Sequence, residues 1–258
     1  MRIPRARQQA TRHVKTARCF GEWLVPNQNE PPSYVQLGTL GSIAGSSDDF
    51  GILSQAIYLE SRVAAGELAG AEKGSIGAVI MNRWQVVNGY QTLWTGSGRG
   101  SSVIRPDVWG TPGASIRSVV FNPSQFGIVE RKPDGSVGLR GAEEARLTSA
   151  LNAGGDSTEC LSLFQSVVTA WAYLDEKDNH RLYATNGLIL TSFNSFAPSR
   201  SAAPYEHVIG SYGSNNVFYG IPAGQGFFNL GQQVFVTDGN RRADEGIPSP
   251  RQGGGRAQ

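Results

Sequence analysis

Glu60 is the residue of this chain whose type and setting best suit acid-base chemistry. On an ideal helix it falls within the arc marked by Leu53, Ala56 and Ile57, at the i+3 and i+4 spacings that put side chains on one face. A carboxylate on such an apolar face loses part of its hydration. Desolvation disfavours the charged form and raises the pKa, which is how a glutamate becomes a proton donor near neutral pH. The plainer alternative is a helix-end acid paired with Arg62. A second run, Ser75-Ile76-Gly77-Ala78-Val79-Ile80-Met81-Asn82-Arg83, brings an amide and a guanidinium to the end of another helix.

Few other constellations compete. The three histidines, His13, His180 and His207, stand apart, and no Gly-x-Ser-x-Gly elbow is present. A Ser-His-Asp hydrolase and a metal hydrolase are both disfavoured by that scarcity, and neither a metal nor a cofactor is expected. Cys19 and Cys160 lie far apart with no histidine cluster beside them, and they read as inert thiols. The formal net charge of +2 is small, so nucleic-acid binding is not the default reading for the core. Arg2, Arg5, Arg7, Arg12, Lys15 and Arg18 give a basic start with no acid among the first 21 residues. No apolar run follows to make a secretory signal, and none reaches the roughly 20 residues of a membrane span. The basic arm reads either as a solvated tail or as a contact for an anionic surface, a phage particle or a secretion-system partner.

The elements that would position Glu60 follow from capping and periodicity. Ser47, Asp48 and Asp49 can open a helix that runs to residues 62–66. A second helix is expected over residues 75–84 after a connection or frayed entry at 66–74. Gly74 and Gly77 cost that helix roughly 1 kcal/mol each relative to alanine, so something must approach its backbone closely, the first helix being the obvious candidate. Asn88-Gly89 ends it as a turn. Residues 91–113 mix glycines and prolines with Trp94 and Trp109 in a long irregular loop of the kind that carries function. Residues 115–120 form a short helix or strand, and Pro133-Asp134-Gly135 a surface turn. Helices are expected at 142–152 and 159–174, the latter the candidate central core helix through Leu161, Phe164, Val167, Val168 and Trp171. Beyond residue 178 the chain reads as loops with short extended pieces. The whole divides into a basic arm and linker over residues 1–45, one domain over 46–237 and a tail over 238–258.

Three motifs in order, Ala56-Ile57-Tyr58-Leu59-Glu60-Ser61-Arg62, Glu72-Lys73-Gly74-Ser75-Ile76-Gly77-Ala78-Val79-Ile80-Met81-Asn82-Arg83 and Val119-Val120-Phe121-Asn122-Pro123-Ser124-Gln125-Phe126, resemble the spore-cortex-lytic (SleB-like) cell-wall hydrolase family. That family carries a Glu-Ala-Arg run, a Gly-x-x-Ala-Val-x-x-Val-x-x-Asn-Arg helix and a Gln-Phe pair. The likeness covers about residues 50–220. Thr185-Asn186-Gly187-Leu188 resembles its Thr-x-Gly-Ala element and Val217-Phe218-Tyr219 its closing His-x-Phe-Tyr, with Asn216 where the family has His and Ser61 where it has Ala.

The resemblance implies a mainly α, lysozyme-like α+β domain with long loops and a small β element. It also implies cleavage of peptidoglycan glycan strands between N-acetylmuramic acid and N-acetylglucosamine, with Glu60 as the catalytic acid. No second acid sits in an equally apolar setting: Glu67, Glu72, Asp107 and Glu130 read as solvated charges, with Glu67 and Glu72 kept as possible second acids. A single acid suits a lytic transglycosylase, in which one residue serves as acid and then base. Hydrolysis as a muramidase or glucosaminidase remains the alternative, as does a non-catalytic wall-binding or phage structural module. Asn82 and Arg83 are assigned to sugar binding or to holding Glu60, and Gln125, Phe126, Thr185 and Tyr219 to the substrate groove, with core packing the alternative for Phe126. A protein made in the cytoplasm without a Sec signal would reach the wall as a phage lysis protein, a virion component or a secreted effector.

Overall fold

The structure, a computed structural model, describes residues 22–26, 34–62, 67–90, 113–153, 157–175, 182–194, 207–212, 216–222 and 234–236. The basic arm before residue 22, the tryptophan-bearing loop over 91–112, Asp107 and the tail after 238 lie outside the described residues. Helix accounts for 56% and strand for 19% of the interpretable residues, which makes the fold mixed α+β.

Strands β1 (Glu22–Pro26) and β2 (Tyr34–Thr39) form an antiparallel pair that leads directly into α1 (Leu40–Ala44). Ile43 and Ala44 of α1 already belong to the main hydrophobic core, so that core begins within the stretch that composition marks as linker. Helix α2 (Asp49–Glu60) starts where Asp48 accepts a hydrogen bond from the Gly51 N–H at 2.8 Å, a side-chain N-cap. Gln55 reaches back to the carbonyl oxygens of Ala44 and Ser46 and fastens α2 to the end of α1. Every residue of α2 from Gly51 to Glu60 is buried. A helix buried on all sides has no solvent face to keep.

The central helix is therefore α2, rather than the one over 159–174. That later helix buries one stripe and leaves Leu161 47% exposed. Helix α3 (Glu67–Gln85) begins eight residues before the expected start and passes without a break through Gly70, Gly74 and Gly77. Its close approach at Gly77 is made mainly by Tyr173: an added Cβ would lie 2.4 Å from that ring and 3.2 Å from Ile57 of α2. The Tyr173 hydroxyl also donates to the Gly74 carbonyl. A π-helical turn, Val86–Tyr90, ends α3 at the predicted Asn-Gly.

Helix α4 (Ile116–Val120) is N-capped by Ser115. The turn at Asp134-Gly135 joins the antiparallel strands β3 (Val129–Arg131) and β4 (Val137–Leu139). Helices α5 (Gly141–Asn152) and α6 (Thr158–Leu174) begin within one residue of the expected starts. Cys160, expected as an inert thiol, is disulfide-bonded; Cys19 lies outside the described residues.

The β content exceeds a small element. Strands β5 (Leu182–Thr185), β6 (Leu188–Asn194), β7 (His207–Gly210), β8 (Val217–Pro222) and β9 (Val234–Val236) form one sheet in the order β7-β8-β6-β5-β9. Asn186 and Gly187, at φ 52° and 74°, make the tight turn of the β5–β6 hairpin. The sheet is sewn to α3 by Asn82. Its amide nitrogen donates to the carbonyls of Tyr183 at 2.7 Å and Leu190 at 2.8 Å, and its oxygen accepts from the Tyr183 N–H at 2.7 Å.

Candidate active site

Glu60 is the last residue of α2, and Ser61 leaves the helix in an extended conformation, φ −70° and ψ 134°. The side chain of Glu60 is 5% exposed, and its Oε1 has no hydrogen-bond partner. Burial pushes its pKa up from 4.5 to about 7. Arg62, the backbone N–H of Ile128 and Arg83 oppose that rise, and Glu143 adds to it. Arg62 acts on the same carboxyl because the helix stops between the two residues, which removes the opposition they would have on a continuing helix. The result is a carboxyl poised near neutrality with one oxygen uncommitted, the state required of a general acid.

The main chain around Glu60 is held by side chains from three other elements. Asn216, immediately before β8 and fully buried, donates from Nδ2 to the Glu60 carbonyl and to Glu72 Oε1, each at 2.9 Å. Glu72 Oε2 accepts from Ser61 Oγ at 2.7 Å and from the Arg62 N–H at 3.0 Å. Lys73 Nζ donates to Ser61 Oγ at 3.1 Å. Arg146 of α5 donates to the carbonyls of Tyr58 at 3.3 Å, Leu59 at 2.9 Å and Ser61 at 3.1 Å. A guanidinium at the C-terminal end of a helix meets both its orphan carbonyls and the negative end of its dipole.

Glu72 is thus corrected from a solvated charge to a fully buried one with both oxygens engaged, which ties α3 to the end of α2. Lys73 beside it is also fully buried, its pKa pulled down to about 8 by burial and by Arg146 while Glu72 holds it up. Glu67 opens α3, but its side chain lies outside those described. Glu130 matches its reading: 42% exposed and paired with Lys132 at 2.7 Å.

The other sequence candidates divide by what they touch. Asn82 is 2% exposed and spends both amide donors on sheet carbonyls. Arg83 is buried, donates from Nε to the Thr191 carbonyl at 3.1 Å, lies 5.1 Å from the Phe126 ring centroid and exerts its charge on Glu60. Phe126 is 3% exposed and belongs to the core, the alternative that the sequence left open. Gln125 is half-buried, with a buried Oε1 that has no partner. Thr185 and Tyr219 are buried in the sheet.

Sequence reasoning missed Glu143, Arg146 and Lys73. The adjacent charges Glu72-Lys73 in an otherwise small and apolar helical run are the one signal that could have marked buried polar structure. Among the described residues no group of three or more His, Cys, Asp or Glu could hold a metal ion, and no helix is long and apolar enough to cross a membrane. Compared with protein-family models, curated proteins and solved structures, the chain matches none.

Proposed function

We propose that the chain cleaves peptidoglycan glycan strands between N-acetylmuramic acid and N-acetylglucosamine, as a lytic transglycosylase on a lysozyme-like domain, with Glu60 as acid and then base. The observation that carries the reading is the state of Glu60: a buried carboxyl with a pKa near 7 and one unpartnered oxygen, on a main chain fixed from outside its helix. The substrate class rests on the resemblance of the three motifs to the SleB-like family.

In this route Glu60 gives its proton to the glycosidic oxygen as the C1–O bond breaks, and positive charge develops at the anomeric carbon. The 6-hydroxyl of the same muramic acid then attacks C1 and passes its proton to the Glu60 carboxylate. That step closes a 1,6-anhydro ring and restores the acid. The engagement of both Glu72 oxygens supports this single-acid route, because they already accept three hydrogen bonds from the protein. One observation favours hydrolysis as a second reading: Glu143 is a carboxylate whose charge reaches Glu60, and two-carboxylate glycosidases use such a partner as nucleophile or base.

Incubation of the protein with peptidoglycan sacculi, followed by mass analysis of the fragments, tests the proposal. Anhydro-muropeptides support the transglycosylase and reducing ends the hydrolase, whereas absence of products from a folded protein removes both and leaves a wall-binding or phage structural module. Glu60→Gln should abolish the products. The site of action proposed is the bacterial wall, reached as a phage lysis protein, a virion component or a secreted effector.

A further inference from the structure

The last turn of α2 is capped in an unusual way. Helix C-termini commonly end on a glycine in the left-handed region, which brings backbone N–H groups round to the last carbonyls. Here Ser61 is extended and the chain leaves at once, so that device is absent. Side chains replace it. Arg146 takes the carbonyls of Tyr58, Leu59 and Ser61, and Asn216 takes that of Glu60, so four consecutive carbonyls around the acid are met from two distant elements. The guanidinium is itself placed on two further sides, 4.8 Å from the Tyr58 ring centroid and 3.6 Å from Glu143 Oε2. That oxygen is buried and makes no hydrogen bond, so the pair with Arg146 is purely electrostatic.

We propose that Arg146 is a positioning residue for Glu60: its planar fork fixes the three carbonyls that flank the acid and thereby keeps the Glu60 carboxyl turned into its dry site, with Glu143 facing it. This rests on the reading of Glu60 as the acid. Only a guanidinium can do it, because reaching three carbonyls in different directions needs donors spread in a rigid plane, and the single ammonium of lysine cannot span them. The charged groups that act on Glu60 are Arg62 after α2, Arg83 on α3 and Glu143 on α5, with Glu72 and Lys73 tied to the same turn through Ser61 and Asn216.

The deciding variant is Arg146→Lys, which keeps the positive charge beside Glu143 and removes only the fork. With carbon-13-labelled glutamate, the Glu60 side-chain carboxyl is titrated by NMR in the wild-type protein and the variant. The midpoint should fall by about one pH unit toward the ordinary carboxylate value as the loosened turn admits water. On sacculi, kcat should fall by about tenfold with KM unchanged, since the displaced acid affects the reaction and not substrate binding. An unmoved Glu60 midpoint overturns the inference whatever happens to kcat or to the melting temperature. If the wild-type protein releases nothing from sacculi, the proposed function fails, and the titration alone still decides whether Arg146 sets the state of Glu60.

Discussion

Replacing Glu60 by glutamine should stabilise the protein above neutral pH while abolishing its proposed activity. In the folded chain the Glu60 pKa is raised from 4.5 to about 7, chiefly by burial. Below the lower value both the folded and the unfolded chain hold the proton, and the site costs nothing extra. Between the two values the unfolded chain releases the proton and the folded chain retains it, so stability falls as pH rises through this window. Above about 7 the loss is complete. At about 1.36 kcal/mol per pH unit the full loss is about 3 kcal/mol. Glutamine is neutral throughout, has nearly the same volume and can accept the Ile128 N–H through its own oxygen, so Glu60→Gln escapes the loss. Urea unfolding of the two proteins at about pH 4, 6 and 8 measures it: with a slope of about 2 to 3 kcal/mol per molar, the midpoints should separate by roughly 1 M at the highest pH relative to the lowest. Curves that track in parallel across the range would refute the reasoning, since Glu60 would then titrate as an exposed carboxylate does.

Other substitutions probe the surroundings. Glu143→Gln removes the negative charge that helps keep Glu60 protonated, so the alkaline limb of the activity profile should move to lower pH by about half a unit. Asn216→Ala leaves the Glu60 carbonyl and Glu72 Oε1 without their shared donor in a fully buried place, and thermal unfolding should report a loss of roughly 1 to 3 kcal/mol. Gly77→Ala forces a Cβ to within 2.4 Å of the Tyr173 ring. The strain, roughly 1 to 3 kcal/mol, should equal or exceed the gain of about 1 kcal/mol in helix propensity. Gly70→Ala in the same helix meets nothing within 4 Å and should be stabilising by up to about 1 kcal/mol in the same melts.

What the sequence shows of this fold depends on whether a feature is decided locally. Helices α5 and α6 were legible almost to the residue because their starts coincide with a change from turn-forming to periodic sequence, and Ser157 caps α6 through its own side chain. The first turns of α3 were legible only as a connection or a frayed helix entry, since glycines cost a helix and the Tyr173 hydroxyl that meets Gly74 comes from far along the chain. The burial of Glu60 agrees with its place among Leu53, Ala56 and Ile57. Glu72 was misread for the converse reason: a charged residue in a glycine-rich stretch looks solvated unless its donors are known, and Asn216 lies 144 residues away. Arg146 and Glu143 share one side of an otherwise polar helix, where nothing local separates a clamp from an ordinary surface pair. The sheet was underestimated because its strands are short and separated by loops, so period-2 patterning has little length over which to appear.

The two buried carboxylates of the site explain each other. Glu72 receives Ser61, the Arg62 N–H and Asn216, whereas Glu60, next to Ser61 in the chain, keeps an oxygen with none. Had Asn216 given its amide to the Glu60 carboxyl instead of its carbonyl, hydrogen bonding would have favoured the anion and spoiled the acid. By bonding the carbonyl, it fixes where the residue stands without touching its proton.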